Sequence, residues 1–178
     1  MNGLVALIIM LVTAPMHLDA AVAPTLDENQ GSWDARAGEL YILQLWSTDQ
    51  ERFLQQWSQP TPPTLTTDSL VGRNQPVHQF IIFGGCQSDA MGNCNLRGEV
   101  IITDPEGARY GEVLTFALWD NQPGPPADHL SLAPGGIGLV IEAGETLGTY
   151  SAQLSITDLN AGVTAVSTAE IRFEEAGA

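Results

Sequence analysis

Two cysteines, Cys86 and Cys94, carry the most specific chemistry in this 178-residue sequence. Seven residues separate them, and in an oxidising compartment a pair this close predicts one local disulfide. Metal binding and two free thiols are the alternatives. A metal site would need further ligands, and the histidines of the main body of the chain, His78 and His129, lie far apart in sequence. We therefore expect a disulfide and no metal site.

The sequence contains none of the motifs that mark common catalytic or nucleotide-binding sites. It has no nucleophile elbow, no zinc-protease motif, no phosphate loop and no dinucleotide fingerprint. The sequence identifies no nucleophile and orienting carboxylate that would act with His78 or His129. Both histidines are therefore expected on strand surfaces. Gly135-Gly136 is expected to be a turn. We predict no catalytic residue and no cofactor, and the enzymatic alternative is a hydrolase that uses clustered carboxylates.

Two acidic segments could in principle bind a cation. Asp158-Leu-Asn160-Ala-Gly162 is similar to the start of a calcium loop, but calcium needs six to eight oxygens and a strand resumes directly after Gly162. A hairpin turn is the expected structure. Asp89 and Asn93, inside the cysteine loop, are a weaker candidate.

Trp119 is the best candidate for contact with a ligand. Exposed aromatic rings at the loop end of a β-sandwich often bind sugars or peptides, and Trp119 adjoins a Pro/Gly-rich loop, 120–128. Packing in the core at the end of a sheet is the alternative.

The charge balance excludes whole classes of partner. The chain has 21 acidic residues against six arginines and no lysine, a net charge of −15. Such a chain is repelled by phosphate backbones and by anionic lipid surfaces. We therefore expect no nucleic-acid partner.

The N-terminus predicts export. Gly3 to Val12 is a ten-residue apolar run, too short to span a bilayer, and small residues follow at 20–23. We predict a signal peptide over residues 1–23, cleaved after Ala20 or Ala23, although no basic residue precedes the apolar run. A buried N-terminal strand is the alternative. No later segment is apolar enough to cross a membrane, so the mature protein is expected to be periplasmic or extracellular.

The remaining chain predicts one all-β domain over residues 39–174, after a flexible lead-in at 24–38 and before a tail at 175–178. One short helix is expected at 49–58, with Thr48 as N-cap, Glu51 completing a capping box, and prolines ending it. Turn signals separate the apolar runs at intervals of about 8–12 residues, which favours an antiparallel β-sandwich of seven or eight strands. Nine segments are candidates for these seven or eight strands: 39–46, 65–71, 77–83, 96–103, 110–119, 129–133, 137–142, 149–159 and 163–174.

The segment Gly148-Thr149-Tyr150 runs into an alternating strand. It resembles the tyrosine corner of immunoglobulin-type sandwiches, in which a tyrosine hydroxyl bonds to the backbone a few residues upstream. The disulfide between sheets of antibody domains is absent, because Ala152 stands where its second cysteine would be.

The stretch from Phe80 to Phe173 also resembles secreted bacterial Ig-like proteins of unknown function. The resemblance lies in a few short motifs: Phe83-Gly-Gly-Cys86, Gly92-Asn-Cys94, Asp104-Pro-Glu-Gly107 before Tyr110, Leu118-Trp119, and Gly148-Thr-Tyr150. It implies an Ig-like fold and an extracytoplasmic location, and it implies no activity.

These observations predict a secreted, non-enzymatic Ig-like module that binds an unknown protein or glycan, or that has a structural role. The alternative is a cell-envelope accessory factor that assists a protein complex through β-strand or loop contacts.

Overall fold

The computed structural model describes residues 34–59, 64–126 and 128–175. The predicted signal peptide therefore lies outside the described residues. The described chain forms ten strands and one helix, which are β1 (Asp34–Ala37), β2 (Leu40–Ser47), α1 (Gln50–Trp57), β3 (Leu70–Gly72), β4 (Val77–Gly84), β5 (Asn93–Thr103), β6 (Arg109–Pro123), β7 (Ser131–Leu132), β8 (Ile137–Leu139), β9 (Gly148–Asp158) and β10 (Val163–Glu174).

The strands form two sheets of five strands each. In the first sheet the order is β1-β2-β4, and β7 and β8 both pair with the free side of β4. In the second sheet the order is β3-β10-β9-β5-β6. All pairs are antiparallel except β3 with β10, which is parallel. The prediction of a mostly β, antiparallel protein with one short helix is confirmed.

Alternation along the strands builds the core between the two sheets. On β10, Ala165, Ala169, Ile171 and Phe173 are buried, and the residues between them are exposed, apart from the buried Ser167. Inward residues of both sheets belong to one hydrophobic cluster. Period-two patterning of this kind buries one face of a strand and leaves the other in water.

A polar chain runs through this core. The amide of Gln44 donates to the Ser167 hydroxyl at 2.6 Å, and the amide of Gln79 donates to the Gln44 side-chain oxygen at 2.8 Å. All three residues are buried. This polar chain of three side chains joins the two sheets, because Ser167 lies on β10 while the two glutamines lie on β2 and β4.

Helix α1 covers the outer face of the first sheet. Phe53 stacks on Phe80 with ring centroids 3.8 Å apart, and Trp57 is buried in the same cluster. The predicted N-cap was wrong by one residue. Asp49 caps the helix by accepting from the Arg52 backbone N–H at 2.9 Å, whereas Thr48 bonds to the carboxylate of Asp68.

Several strand limits differ from those predicted. The expected strand at 65–71 is reduced to β3, because Leu65 packs into the α1 cluster instead. Strand β1 lies within the predicted lead-in, where Ala35 and Ala37 pack against the core. Strand β6 continues to Pro123, into the predicted loop, because its last residues pair with the start of β5.

The short strands β7 and β8 are shorter than the expected 129–133 and 137–142. Both pair with β4, and the chain between them crosses close to the β4 backbone. A Cβ on Gly136 would lie 2.4 Å from the carbonyl oxygen of Gln79, so only glycine fits there. Beyond Leu139 the chain bonds elsewhere, since the Ile141 carbonyl oxygen accepts from the Asn74 backbone N–H at 2.9 Å.

Candidate functional site

The outer face of the second sheet carries a groove of about 570 Å³. Strands β5, β6, β9 and β10 form its floor. No described element covers this face, in contrast to the outer face of the first sheet, which α1 covers. Its lining residues are Arg97, Gly98, Glu99, Thr115, Phe116, Ala117, Ser155, Thr157 and Thr164.

Strand pairing arranges the groove side chains in two rows across the sheet. In the first row Arg97 lies between Ala117 on β6 and Thr157 on β9, and Thr164 follows on β10. In the second row Glu99 lies between Thr115 and Ser155. Neighbouring strands are about 4.8 Å apart, so each row is a continuous line of side chains.

Arg97 and Glu99 are the only charged residues that line the groove, and both are exposed. Neither side chain has a hydrogen-bond or ion-pair partner within the part of the chain that the structure describes. Sequence reasoning missed both residues. Alternation in the predicted strand 96–103 places them on one face, but only the assembled sheet shows that this face is uncovered.

The other polar groups of the groove are hydroxyls. The hydroxyls of Thr157 and Thr164 lie 2.9 Å apart, a hydrogen bond that joins β9 to β10. Ser155 and Thr115 flank Glu99. Phe116 reaches the groove only beside Gly98, because its ring packs against the core and fills the space where a Cβ of Gly98 would stand.

The disulfide lies beyond one end of the groove. Cys86 and Cys94 are bonded, as predicted. The loop they close is fixed to the β9–β10 turn by Asp158, which is fully buried and accepts from the Gln87 backbone N–H at 2.6 Å. Asn160 donates from its side-chain amide to the carbonyl oxygens of Gln87 and Asn93.

Both carboxylate oxygens of Asp158 thus accept from backbone N–H groups. Its second carboxylate oxygen accepts from the backbone N–H groups of Asn160 and Ala161. Asp89 likewise accepts from the backbone N–H groups of Met91 and Asn93 inside the cysteine loop. Within the described residues, no three His, Cys, Asp or Glu side chains come together as metal ligands.

Trp119, the candidate ligand contact, is only 6% exposed. Its ring packs edge-on against Phe83 with centroids 5.1 Å apart, and its indole N–H donates to the Pro123 carbonyl oxygen. The ring lies in the core, the alternative that the sequence left open. Its surface is not available to a ligand in this structure.

Tyr150 is buried, and its hydroxyl donates to the carbonyl oxygen of Thr146 at 2.8 Å. Tyr110 packs edge-on against it and donates to the Glu145 carboxylate at 2.7 Å. Burial, followed by the charge of Glu145, raises the pKa of Tyr150 to about 12. Burial and the bond to Glu145 also raise the pKa of Tyr110.

His78 and His129 are both half-buried. His78 lies on β4 in the first sheet, and His129 lies just before β7. Burial lowers the pKa of His78, so the neutral imidazole is favoured. Neither histidine lines the groove.

Comparison with known proteins found no matching family model and no matching curated protein. Among solved structures, a family 123 glycoside hydrolase from Clostridium perfringens matches 76% of this chain with a TM-score of 0.44 and 10% identity. A Niemann-Pick type C2 protein from the Japanese carpenter ant matches 81% of this chain and 96% of its own, with a TM-score of 0.37 and 8% identity.

A third match is the alkylpurine DNA glycosylase AlkC of Pseudomonas fluorescens, over 61% of this chain, with a TM-score of 0.36 and 11% identity. The chain spans 28% of the length of both enzymes. The matched proteins are of three different kinds. No helix within the described residues is long and apolar enough to cross a membrane.

Proposed function

We propose that this chain is an exported, non-enzymatic binding module with an immunoglobulin-like β-sandwich fold, and that its ligand binds in the groove. The observation that carries the proposal is the pair Arg97 and Glu99. These two charged side chains share an uncovered concave face and have no partner among the described residues. Charged groups that the fold does not use are available to a ligand.

The composition of the groove supports binding over catalysis. Glu99 is the only carboxylate in the lining, whereas the two general mechanisms of glycoside hydrolysis use a pair of carboxylates. The lining also contains no histidine, cysteine or lysine. Glu99 is the one candidate base beside these hydroxyls, and the lining offers no further group to orient it or to share the proton transfer.

Two features support the immunoglobulin-like fold and export. The bond from the Tyr150 hydroxyl to Thr146 has the geometry of a tyrosine corner. The Cys86–Cys94 disulfide is of the kind that persists in oxidising compartments.

Retention of cell-envelope material tests the binding proposal. Polysaccharide and protein fractions of an envelope extract are passed over the immobilised protein and over an Arg97→Gln/Glu99→Gln double variant. We expect one fraction to be retained by the protein and lost on the double variant. A Glu170→Gln/Arg172→Gln variant is a matched control, since it changes the same residue types, with the same spacing, on the same face but outside the groove. Equal retention on all three proteins would refute the groove as the site.

An accessory factor that acts through loop contacts is the second candidate. Met91, in the cysteine loop, is 83% exposed, and Leu159, on the turn that holds this loop, is 46% exposed. Two apolar side chains on a rigidly held tip suit insertion into a pocket of a protein partner. Retention of an envelope protein that is lost in Met91→Ser but kept in the groove variant would favour this function.

A further inference from the structure

We infer that the groove binds an uncharged saccharide through neighbouring ring hydroxyls, an inference that rests on the binding function proposed above. The inference follows from the opposite hydrogen-bonding capacities of Arg97 and Glu99. They lie two residues apart on β5 and face the same way. The guanidinium has only donors, and the carboxylate has only acceptors.

A ligand that satisfies both groups must present an acceptor beside a donor. Each hydroxyl of a sugar offers one donor and two acceptor lone pairs, so two neighbouring hydroxyls can accept from Arg97 and donate to Glu99 together. The hydroxyls of Ser155 and Thr157 lie directly beside these groups on β9 and can extend the same network. The groove therefore matches a polyol better than it matches an apolar ligand.

The charges favour a neutral ligand. Within the groove the single arginine and the single glutamate cancel. The chain as a whole carries a net charge of −15, which repels uronic acids, sulfated sugars and phosphate esters. A cationic ligand would pair with Glu99 but would meet Arg97 two residues away.

The size and shape of the groove fit one or a few sugar rings. Its volume of about 570 Å³ lies within the usual range for small-ligand sites. Ala117, Thr115 and Ser155, the neighbours of the two charged residues, are small and leave room for a ring over β6 and β9.

The expected affinity is low. Phe116 is the only aromatic residue in the lining, and its ring packs against the core, so stacking on a sugar contributes little. Hydrogen bonds exchanged with water give a small net gain each. We expect a dissociation constant of about 1 mM for a short oligosaccharide.

A peptide strand is disfavoured at this site. Strands β5 and β9 are each paired on both sides, so their backbone groups are not available to add another strand from the groove face. The edge strand beside the groove is β6, but its pairing with β5 is interrupted by register shifts, which blunt an edge.

Titration of isotope-labelled protein, expressed from the full sequence, with three sets of probes tests the inference by nuclear magnetic resonance. The probes are neutral oligosaccharides of glucose, galactose and mannose, the corresponding uronic-acid oligosaccharides, and uncharged peptides. We expect at least one neutral oligosaccharide to shift the resonances of groove residues, and its uronic counterpart to bind at least about fivefold more weakly. Arg97→Gln and Glu99→Gln should each weaken binding by about tenfold, the loss of one charged hydrogen bond.

Glu170→Gln and Arg172→Gln should leave the affinity unchanged. Tighter binding of the uronic acids, or groove shifts with peptides alone, would overturn the saccharide inference and leave the groove as a binding site. No groove shift with any probe, together with retention of the envelope protein fraction that still depends on Arg97 and Glu99, would also overturn the saccharide class alone. If neither shifts nor groove-dependent retention is observed, both proposals fail.

Discussion

The bond between the Tyr150 hydroxyl and the Thr146 carbonyl gives the first test at the level of single residues. Tyr150→Phe removes this bond and little else, so we expect a loss of about 0.5–1.5 kcal/mol in unfolding free energy. Tyr150→Ala also leaves a cavity where the ring packs against Phe173, and should cost about 3–5 kcal/mol. Denaturant unfolding measures both. Wild-type midpoints for both variants would contradict a structural role for this tyrosine.

The same tyrosines predict a loss of stability in alkali. The folded state favours the neutral phenols, since the pKa of Tyr150 is raised from 10.0 to about 12 and that of Tyr110 is raised as well. Their contribution is complete below pH 10 and is lost as the pH rises through about 12. Urea unfolding at a series of pH values should show this decline, and it should be smaller in a Tyr110→Phe/Tyr150→Phe variant. An equal decline in both proteins would assign it to other groups.

Ser167 tests the polar chain in the core. Ser167→Ala leaves the buried amide of Gln44 without its acceptor, and we expect a loss of about 1–3 kcal/mol. Thr168→Ser, on the exposed face of the same strand, is the control and should change stability by less than about 0.5 kcal/mol. If both variants unfold alike, the bond from Gln44 to Ser167 contributes nothing to stability.

Some residue-level features could be predicted from sequence and others could not. The disulfide follows from the short spacing of the only two cysteines. The choice between Thr48 and Asp49 as N-cap does not, because both residue types cap helices and the carboxylate that binds Thr48 comes from Asp68, twenty positions away. Arg97 and Glu99 could be placed on one face, but their lack of partners depends on the whole fold.

The disulfide and the turn that holds its loop form the clearest testable element. A Cys86→Ala/Cys94→Ala variant should lose roughly 2–3 kcal/mol by the chain-entropy relation, yet remain folded, since Asp158 and Asn160 still bind the loop. Circular dichroism reports whether the variant is folded, and denaturant unfolding measures its loss of stability. An unfolded double variant would show that the loop needs the covalent link.

The central parts of the long strands were predictable, and the short strands were not. The strands β4, β9 and β10 follow the predicted limits to within one residue at each end, because their side chains alternate or form a continuous apolar run. The short strand β3 exists because its residues pair with the far end of the chain, in register Leu70 with Arg172. No local pattern reports a pairing of that kind.

At the scale of the whole molecule, export remains a prediction on residues outside those described. We expect N-terminal sequencing of protein recovered from the producing cells to begin at position 21 or 24, after Ala20 or Ala23. Replacing residues in the apolar run with aspartate should keep the protein inside the cell. A folded protein that retains Met1 would contradict the prediction.

Strand β10 lies between β3 and β9, although it is the last of the described strands to be synthesised. The second sheet therefore cannot close, and Ser167 cannot reach Gln44, until the residues of β10 have left the ribosome. Chains whose contacts are mostly long-range also fold slowly, in about milliseconds to seconds. Until β10 is present, β9 and β3 each lack a neighbour, and unpaired strand edges of this kind are prone to aggregation. The position of β10 therefore makes closure of the second sheet a late step, whatever the order in which the other strands pair.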